Sequence, residues 1–154
     1  MTVHYRVFEN HALVVGHFRQ SLTKAVFFEG IRRLSEHPDF RPGFDRLAIL
    51  YDDLDLSALD ADDMADIGNR ILDTYFGGDP QHGPDEVLFR IAAVSSTAIN
   101  KVIFNLYGAV LESGMPSPVP YRLFQDVDIA LAWLGKPDID PGELRIERMT
   151  GVID

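Results

Sequence analysis

The sequence predicts an α/β domain in which a mixed sheet of about five strands is covered by about four helices, in the order ββαβαβαβα. Residues 47–51 are consecutively apolar, which is typical of a strand covered on both faces. Helix-length segments separate the later strands, and this spacing favours right-handed crossovers between parallel strands. With 154 residues and 46% hydrophobic content, the chain can form one domain with its own core.

The first predicted elements are a β-hairpin and a helix. Apolar and polar residues alternate over residues 3–8, Glu9 and Asn10 indicate a turn, and residues 13–18 form a second apolar run. Thr23, or Ser21 just before it, is a suitable N-cap for the helix that follows. One face of that helix carries an apolar stripe, which consists of Phe27, Ile31 and Leu34.

The central strand leads through an acidic loop into a second helix. Asp60 is a good N-cap, and Asp62 and Asp63 lie in the first turn, where the helix dipole favours negative charge. Apolar residues then recur at helical spacing, and a glycine and proline cluster ends the helix. The apolar residues are Met64, Ile67, Ile71 and Tyr75, and the terminating residues are Gly77, Gly78 and Pro80.

The second half of the chain repeats the alternation of strand and helix. Residues 87–94 predict a strand, and residues 97–112 predict a long helix. Residues 119–124 predict a last strand, which Pro120 places at the sheet edge because proline has no N–H to donate. Asp126 caps a short helix. We therefore expect one domain over residues 3–135 and a C-terminal tail, residues 136–154, that docks on this molecule or on a partner.

Two segments, HPDFRPGFDRLAILYDDLDLSALDADDM and FQDVDIALAWLG, together with the element order, resemble the bacterial STAS-like family, also called SpoIIAA-like. That family shares its fold with anti-sigma-factor antagonists and is related in shape to CRAL-TRIO lipid carriers. The likeness covers about residues 3–135. It implies a SpoIIAA-like sheet in a small cytoplasmic domain of largely unassigned role that often pairs with itself.

The chain differs from the anti-sigma-factor antagonists at the residue that carries their switch. Those proteins have Leu-Asp-Ser-Ser at the start of the helix after the central strand, and a partner kinase phosphorylates the first serine. The matching residues here are Leu59, Asp60, Ala61 and Asp62, and alanine cannot accept phosphate. Ser57, four positions earlier, is a candidate for modification in the same loop.

Aspartates accumulate around the end of the central strand and suggest a metal site, since hard cations prefer several carboxylate oxygens. Read as a calcium loop from Asp53, however, the sixth position is Ala58 rather than glycine and the twelfth is Met64 rather than glutamate. We therefore interpret the segment as a solvated loop and helix cap. The residues at this strand end are Asp53, Asp55, Ser57 and Asp60.

A second candidate site follows residues 87–94. Ser95, Ser96 and Thr97 present hydroxyl groups at a helix start beside the carboxyl end of a strand, an arrangement that suits a small anion or a polar ligand group. Capping of the helix explains the same residues. Both interpretations stay open at this point.

The predicted helix over residues 97–112 has an unusually wide apolar arc. Its main stripe faces the sheet, but Phe104, Tyr107 and Leu111 extend the arc over more than half the circumference. A second subunit, the C-terminal tail or an apolar ligand should cover this surface. Two functions follow: a homodimeric regulatory or protein-binding module, or a carrier or sensor of a lipid or other small apolar ligand.

Several function classes lack their motifs. There is no cysteine, no histidine pair at metal-binding spacing, no nucleophile elbow, no phosphate loop and no dinucleotide fingerprint. We therefore predict no catalytic, cofactor-binding or metal-binding residue, and we interpret His17 as a strand residue rather than a base. The net charge of −10 disfavours nucleic acid. No membrane span or signal peptide is visible, and we expect a cytoplasmic protein.

Overall fold

The computed structural model of the protein describes residues 3–77, 87–98, 101, 105, 108–109 and 119–154. These residues form one mixed six-stranded sheet with the order β5-β4-β3-β2-β1-β6. The contacts between β2, β3, β4 and β5 are parallel, whereas β1 pairs antiparallel with both β2 and β6. The strands are β1 (Val3–Phe8), β2 (Leu13–Phe18), β3 (Asp45–Leu50), β4 (Ile91–Val94), β5 (Tyr121–Phe124) and β6 (Gly151–Ile153).

The predicted α/β class is confirmed, and the sheet has one strand more than the predicted five. The additional strand, β6, comes from residues 136–154, which the sequence suggests as a tail. These residues dock on this molecule, because Ile153 pairs with Val3 at the edge of the sheet. Three residues with weak alternation give too little periodicity to identify a strand from the sequence.

Three helices have defined bounds: α1 (Lys24–Glu36), α2 (Ala61–Phe76) and α3 (Val127–Trp133). The predicted caps are confirmed. The Thr23 side chain accepts the N–H of Val26, and Asp60 forms a reciprocal capping box with Asp63. Ser21, the alternative cap of α1, instead forms an isolated parallel bridge with Asp55. In the helix predicted over residues 97–112, Thr97 is not helical, the described residues from Ala98 to Ala109 are, and the C-terminal end lies outside the described residues.

The strand predicted over residues 87–94 begins later, at Ile91. The N–H of Arg90 donates to the carboxylate of Asp45 at 2.8 Å rather than to a strand backbone, so regular pairing starts one residue further on. The last parallel strand, β5, lies at the sheet edge, as Pro120 predicts. The turn at Glu9 and Asn10 is a short 3-10 helix that also includes His11.

The two faces of the sheet are packed differently. The face covered by α3 and the C-terminal segment has a single buried cluster. The face covered by α1 and α2 has three separate clusters. The single cluster consists of Phe8, Leu13, Val15, Leu47, Ala92, Phe124, Ala130, Leu131, Leu134, Ile139 and Leu144.

No helix within the described part of the chain has the length and apolar character of a membrane span.

Candidate functional site

A cavity of about 210 Å³ lies between the sheet and helices α1 and α2. Its walls come from four neighbouring strands, from β6 at the edge and from the inner faces of both helices. The three buried clusters on this side of the sheet all contribute to the lining, so the cavity occupies the space where they would otherwise merge. Lining residues include Tyr5, Gly16, Val26, Ala48, Ile71 and Ile153.

Small residues on both walls leave this space open. Gly16 pairs with Tyr5 on β1 and with Ala48 on β3. Of these three neighbouring residues, Gly16 has no side chain and Ala48 has only a methyl group. Gly30 faces the same space from α1. The Phe18 ring folds back over Gly16, where an added Cβ would lie 2.9 Å from the ring. A larger residue in place of Ala48 would extend into the space between sheet and helix, whereas one in place of Gly16 would meet the Phe18 ring.

The β3 residues on this side of the sheet border the cavity, although Ile49 on the other face is partly buried as well. β3 is an interior strand of the sheet, yet Ala48 and Leu50 are only partly buried. Both side chains line the cavity. On the opposite face of the same strand, Leu47 is 1% exposed. A concave apolar space of this size between a sheet and its helices is a candidate binding site.

The few polar side chains in the lining are already bonded within the protein. The Tyr75 hydroxyl donates to the carbonyl of Ile31 at 3.2 Å. Burial raises the pKa of Tyr75 to about 12, although the nearby charge of Arg46 opposes the shift. Arg46 donates to the carbonyl oxygens of Pro42 and Phe44.

The Arg46 guanidinium also packs against aromatic rings at one end of the cavity. Its central carbon lies 3.9 Å from the Phe89 ring centre, and the Phe40 and Tyr75 rings lie somewhat further away. Such cation–π contacts hold the guanidinium plane in place. The Tyr5 side chain bonds to Arg33. The pKa of Arg33 is raised mainly by Glu29 and to a smaller extent by Tyr5. The surface presented to a ligand is therefore almost wholly apolar.

The aspartates of the predicted strand-end loop are dispersed among separate local contacts. Asp55 accepts the N–H of Ser57 at 2.9 Å, and hydrogen bonds from the Ser57 hydroxyl and then from this N–H lower the Asp55 pKa. Asp53 pairs with Arg19 at 3.3 Å, and Asp60 caps α2. Within the described ranges, no group of three or more metal-ligating side chains is arranged to hold an ion. The loop and cap interpretation accounts for each of these contacts.

The predicted Ser95, Ser96 and Thr97 turn follows β4. The Ser95 side chain is buried and its Oγ accepts the N–H of Thr97 at 3.3 Å. The Ser96 hydroxyl donates to the carboxylate of Asp52 at 3.5 Å, which places a negative charge beside the turn. Anion binding and capping both stay predictions for this turn. Phe104, Tyr107 and Leu111, the predicted interface or ligand surface, lie outside the described residues.

Two polar contacts in the interior were not foreseen from the sequence. His17 is 3% exposed and bridges Tyr51 and the carbonyl of Leu144, which holds the C-terminal segment to the sheet. Burial lowers the pKa of His17, and the bond to Leu144 opposes that shift. Asp45 is 7% exposed and binds Arg90 and Lys136. Both contacts join residues far apart in sequence and have no local motif.

The cavity had one faint signal in the sequence. Gly16 interrupts an otherwise apolar strand, and such a glycine often marks a close approach or a missing side chain. The signal does not say which element faces that position. Comparison of the chain with family models, with curated proteins and with solved structures finds no match.

Proposed function

We propose that this chain is a non-enzymatic binding module that carries or senses a small apolar molecule, which it holds between the sheet and helices α1 and α2. The cavity of about 210 Å³ carries the proposal. Its lining is almost wholly apolar, so a small apolar molecule that enters the space removes hydrophobic surface of both partners from water.

A STAS-like regulatory role is part of the same proposal. Its support is the two sequence segments named above and an element order that agrees with the predicted one from β1 to α3. Ala61, the first residue of α2, stands where the anti-sigma-factor antagonists carry their phosphorylated serine. Occupancy of the cavity would then be the signal in place of a phosphate at this helix start. The helix packs on the cavity through Ile71 and Tyr75.

Assembly into a homodimer remains a prediction from Phe104, Tyr107 and Leu111. Only two large hydrophobic residues of the described chain are exposed, Val87 and Ile129. They give no apolar patch of the size that a subunit interface needs. A partner protein would therefore bind a surface other than the one around Val87 and Ile129, or would bind only when the cavity holds its ligand.

The test is native mass spectrometry of untagged protein purified without detergent. We expect a bound small molecule that is released under denaturing conditions. An Ala48→Ile variant should lose this added mass while keeping its circular dichroism spectrum, because the larger side chain fills the cavity. An Ile129→Ser variant, altered at a residue that is 60% exposed, should keep it. The proposal is wrong if neither the purified protein nor protein incubated with apolar compounds gains a mass that Ala48→Ile removes.

A further inference from the structure

We infer that the molecule held in the cavity is neutral, compact and hydrocarbon-like, with one or two rings, and is neither a fatty acid nor another anionic lipid. The inference rests on the proposed function and adds to it the chemical class of the ligand. Three properties of the described residues carry it: the size of the space, the state of its polar groups and the charge of the protein.

The size of the cavity limits the length of the ligand. Apolar cavities of about 150 Å³ in proteins admit benzene. A cavity of about 210 Å³ therefore has room for one ring with a short alkyl chain, or for two fused rings. A long acyl chain needs considerably more space. Ala48 on the sheet and Gly30 on α1 both border the cavity and leave room there for a ring.

The polar groups of the lining offer no obvious partner for a charged head group. The Tyr75 hydroxyl donates to Ile31, and the Arg46 guanidinium donates to two backbone carbonyls while it packs on Phe89. A carboxylate that entered the cavity would lose its hydration, and the Arg46 guanidinium, the one cation in the described lining, is held against Phe89 and the two carbonyls. Burial of an unpaired carboxylate is strongly unfavourable, whereas an apolar ligand needs none of these groups.

The charge of the whole protein acts in the same direction. Its formal net charge is −10, so an approaching anion is repelled before it reaches the cavity. A neutral molecule experiences no such repulsion. Apolar ligands gain affinity from the surface they bury, which does not depend on ionic strength to first order.

The experiment titrates four probes into the protein by isothermal calorimetry: n-butylbenzene, naphthalene, 4-phenylbutyrate and hexadecanoate. n-Butylbenzene and 4-phenylbutyrate share a ring and a short chain and differ in the carboxylate. Any co-purified molecule is first removed by unfolding in guanidinium and refolding. We expect the two neutral probes to bind at least tenfold more tightly than either anion. Ala48→Ile should weaken their binding at least tenfold, and Ile129→Ser should leave it unchanged.

Two other outcomes are distinguishable. If either anion binds as tightly as the neutral probes and Ala48→Ile removes that binding, the inferred ligand class is wrong while the cavity remains a binding site. If no probe binds in a manner that depends on Ala48, and the purified protein also carries no added mass, both the inference and the proposed function fail. The refolded protein must reproduce the circular dichroism spectrum of the untreated sample.

Discussion

Nε2 of His17 lies 2.7 Å from the carbonyl oxygen of Leu144 and joins β2 to the 3-10 helix Pro141–Leu144. A carbonyl oxygen only accepts hydrogen bonds, so Nε2 carries the proton and donates it. Nδ1 of the neutral ring therefore accepts from the Tyr51 hydroxyl, 2.9 Å away. The buried imidazole is satisfied in its neutral form, and this gives the protein a pH dependence.

We expect acid to weaken the fold through His17. Burial is the main reason that its pKa lies below 6.5 in the folded protein. The unfolded chain takes up this proton near pH 6.5, and the folded chain only at lower pH. The free energy of unfolding should therefore have its full value above pH 6.5 and fall as the pH drops, by at most about 1.4 kcal/mol per pH unit for this group.

Urea unfolding between pH 8 and pH 5 measures this fall. His17→Gln removes the titrating ring and should lose this part of the pH dependence. Tyr51→Phe keeps the His17 imidazole bonded to Leu144, so this variant should retain the pH dependence. Equal pH dependence in the wild type and in His17→Gln would show that other groups cause it.

The Asp45 carboxylate should be among the polar groups on which stability most depends. It accepts bonds from the N–H and guanidinium of Arg90 and from the Lys136 ammonium, and its side chain is only 10% exposed. Arg90 in turn donates to the last carbonyls of α3. Asp45→Asn leaves two cations without their counter-charge, and we expect a loss of about 3 kcal/mol in the free energy of unfolding.

A matched substitution at the surface provides the control for Asp45. Asp53 pairs with Arg19, and both side chains are more than 40% exposed. Asp53→Asn should therefore change stability by only about 0.5 kcal/mol. Chemical denaturation of the two variants at pH 7 makes the comparison, and similar losses would mean that burial of the Asp45 contacts adds nothing.

Two alanines on opposite faces of the sheet should respond oppositely to enlargement. Ala48 faces the cavity, so Ala48→Ile adds apolar contacts in open space and should leave the free energy of unfolding unchanged or raise it. Ala92 has no exposed surface and lies in the single packed cluster. Ala92→Ile should overpack that cluster and cost about 1–3 kcal/mol. Guanidinium unfolding of both variants, without ligand, tests whether the cavity is empty space in the folded protein.

Two helix glycines should also differ in their response to alanine. An added Cβ at Gly30, inside α1, would lie 3.4 Å from the end of the Ile153 side chain, and alanine favours helix over glycine. Gly30→Ala should raise stability by up to about 1 kcal/mol. Gly77 ends α2 at φ 66° with nothing within 4 Å of an added Cβ. Gly77→Ala should destabilise by about 1 kcal/mol through backbone strain alone. Thermal unfolding of the two variants against wild type gives both signs.

The elements that the sequence predicts well are those set by local chemistry. Thr23, Asp60 and Asp126 cap their helices because a short side chain can reach the free N–H groups of the next turn. Pro120 places β5 at the edge because it lacks a donor. Such features depend on a few adjacent residues and can be recognised without the rest of the fold.

The cavity could not be predicted in the same way. Periodicity shows that Ile31 and Ala48 face inward, but it contains no information about the distance between the two facing surfaces. The contacts of His17 with Leu144 and of Asp45 with Lys136 depend on the same long-range geometry. Of the candidate residues chosen from the sequence, Asp53 and Ser95 are polar and do not border the cavity, and the apolar surface of Phe104, Tyr107 and Leu111 lies outside the described residues.

The pairing of β6 with β1 also affects the order in which the molecule can be completed. Ile153 lines the cavity and pairs with Val3, so one wall of the cavity is built from residues near opposite ends of the described chain. During synthesis, β1 to α3 can pack before Ile153 leaves the ribosome. Until then the hydrophobic interior is open along the free edge of β1. Contacts this distant in sequence slow folding, so this wall of the cavity forms only after residues 151–153 have been synthesised and have paired with β1.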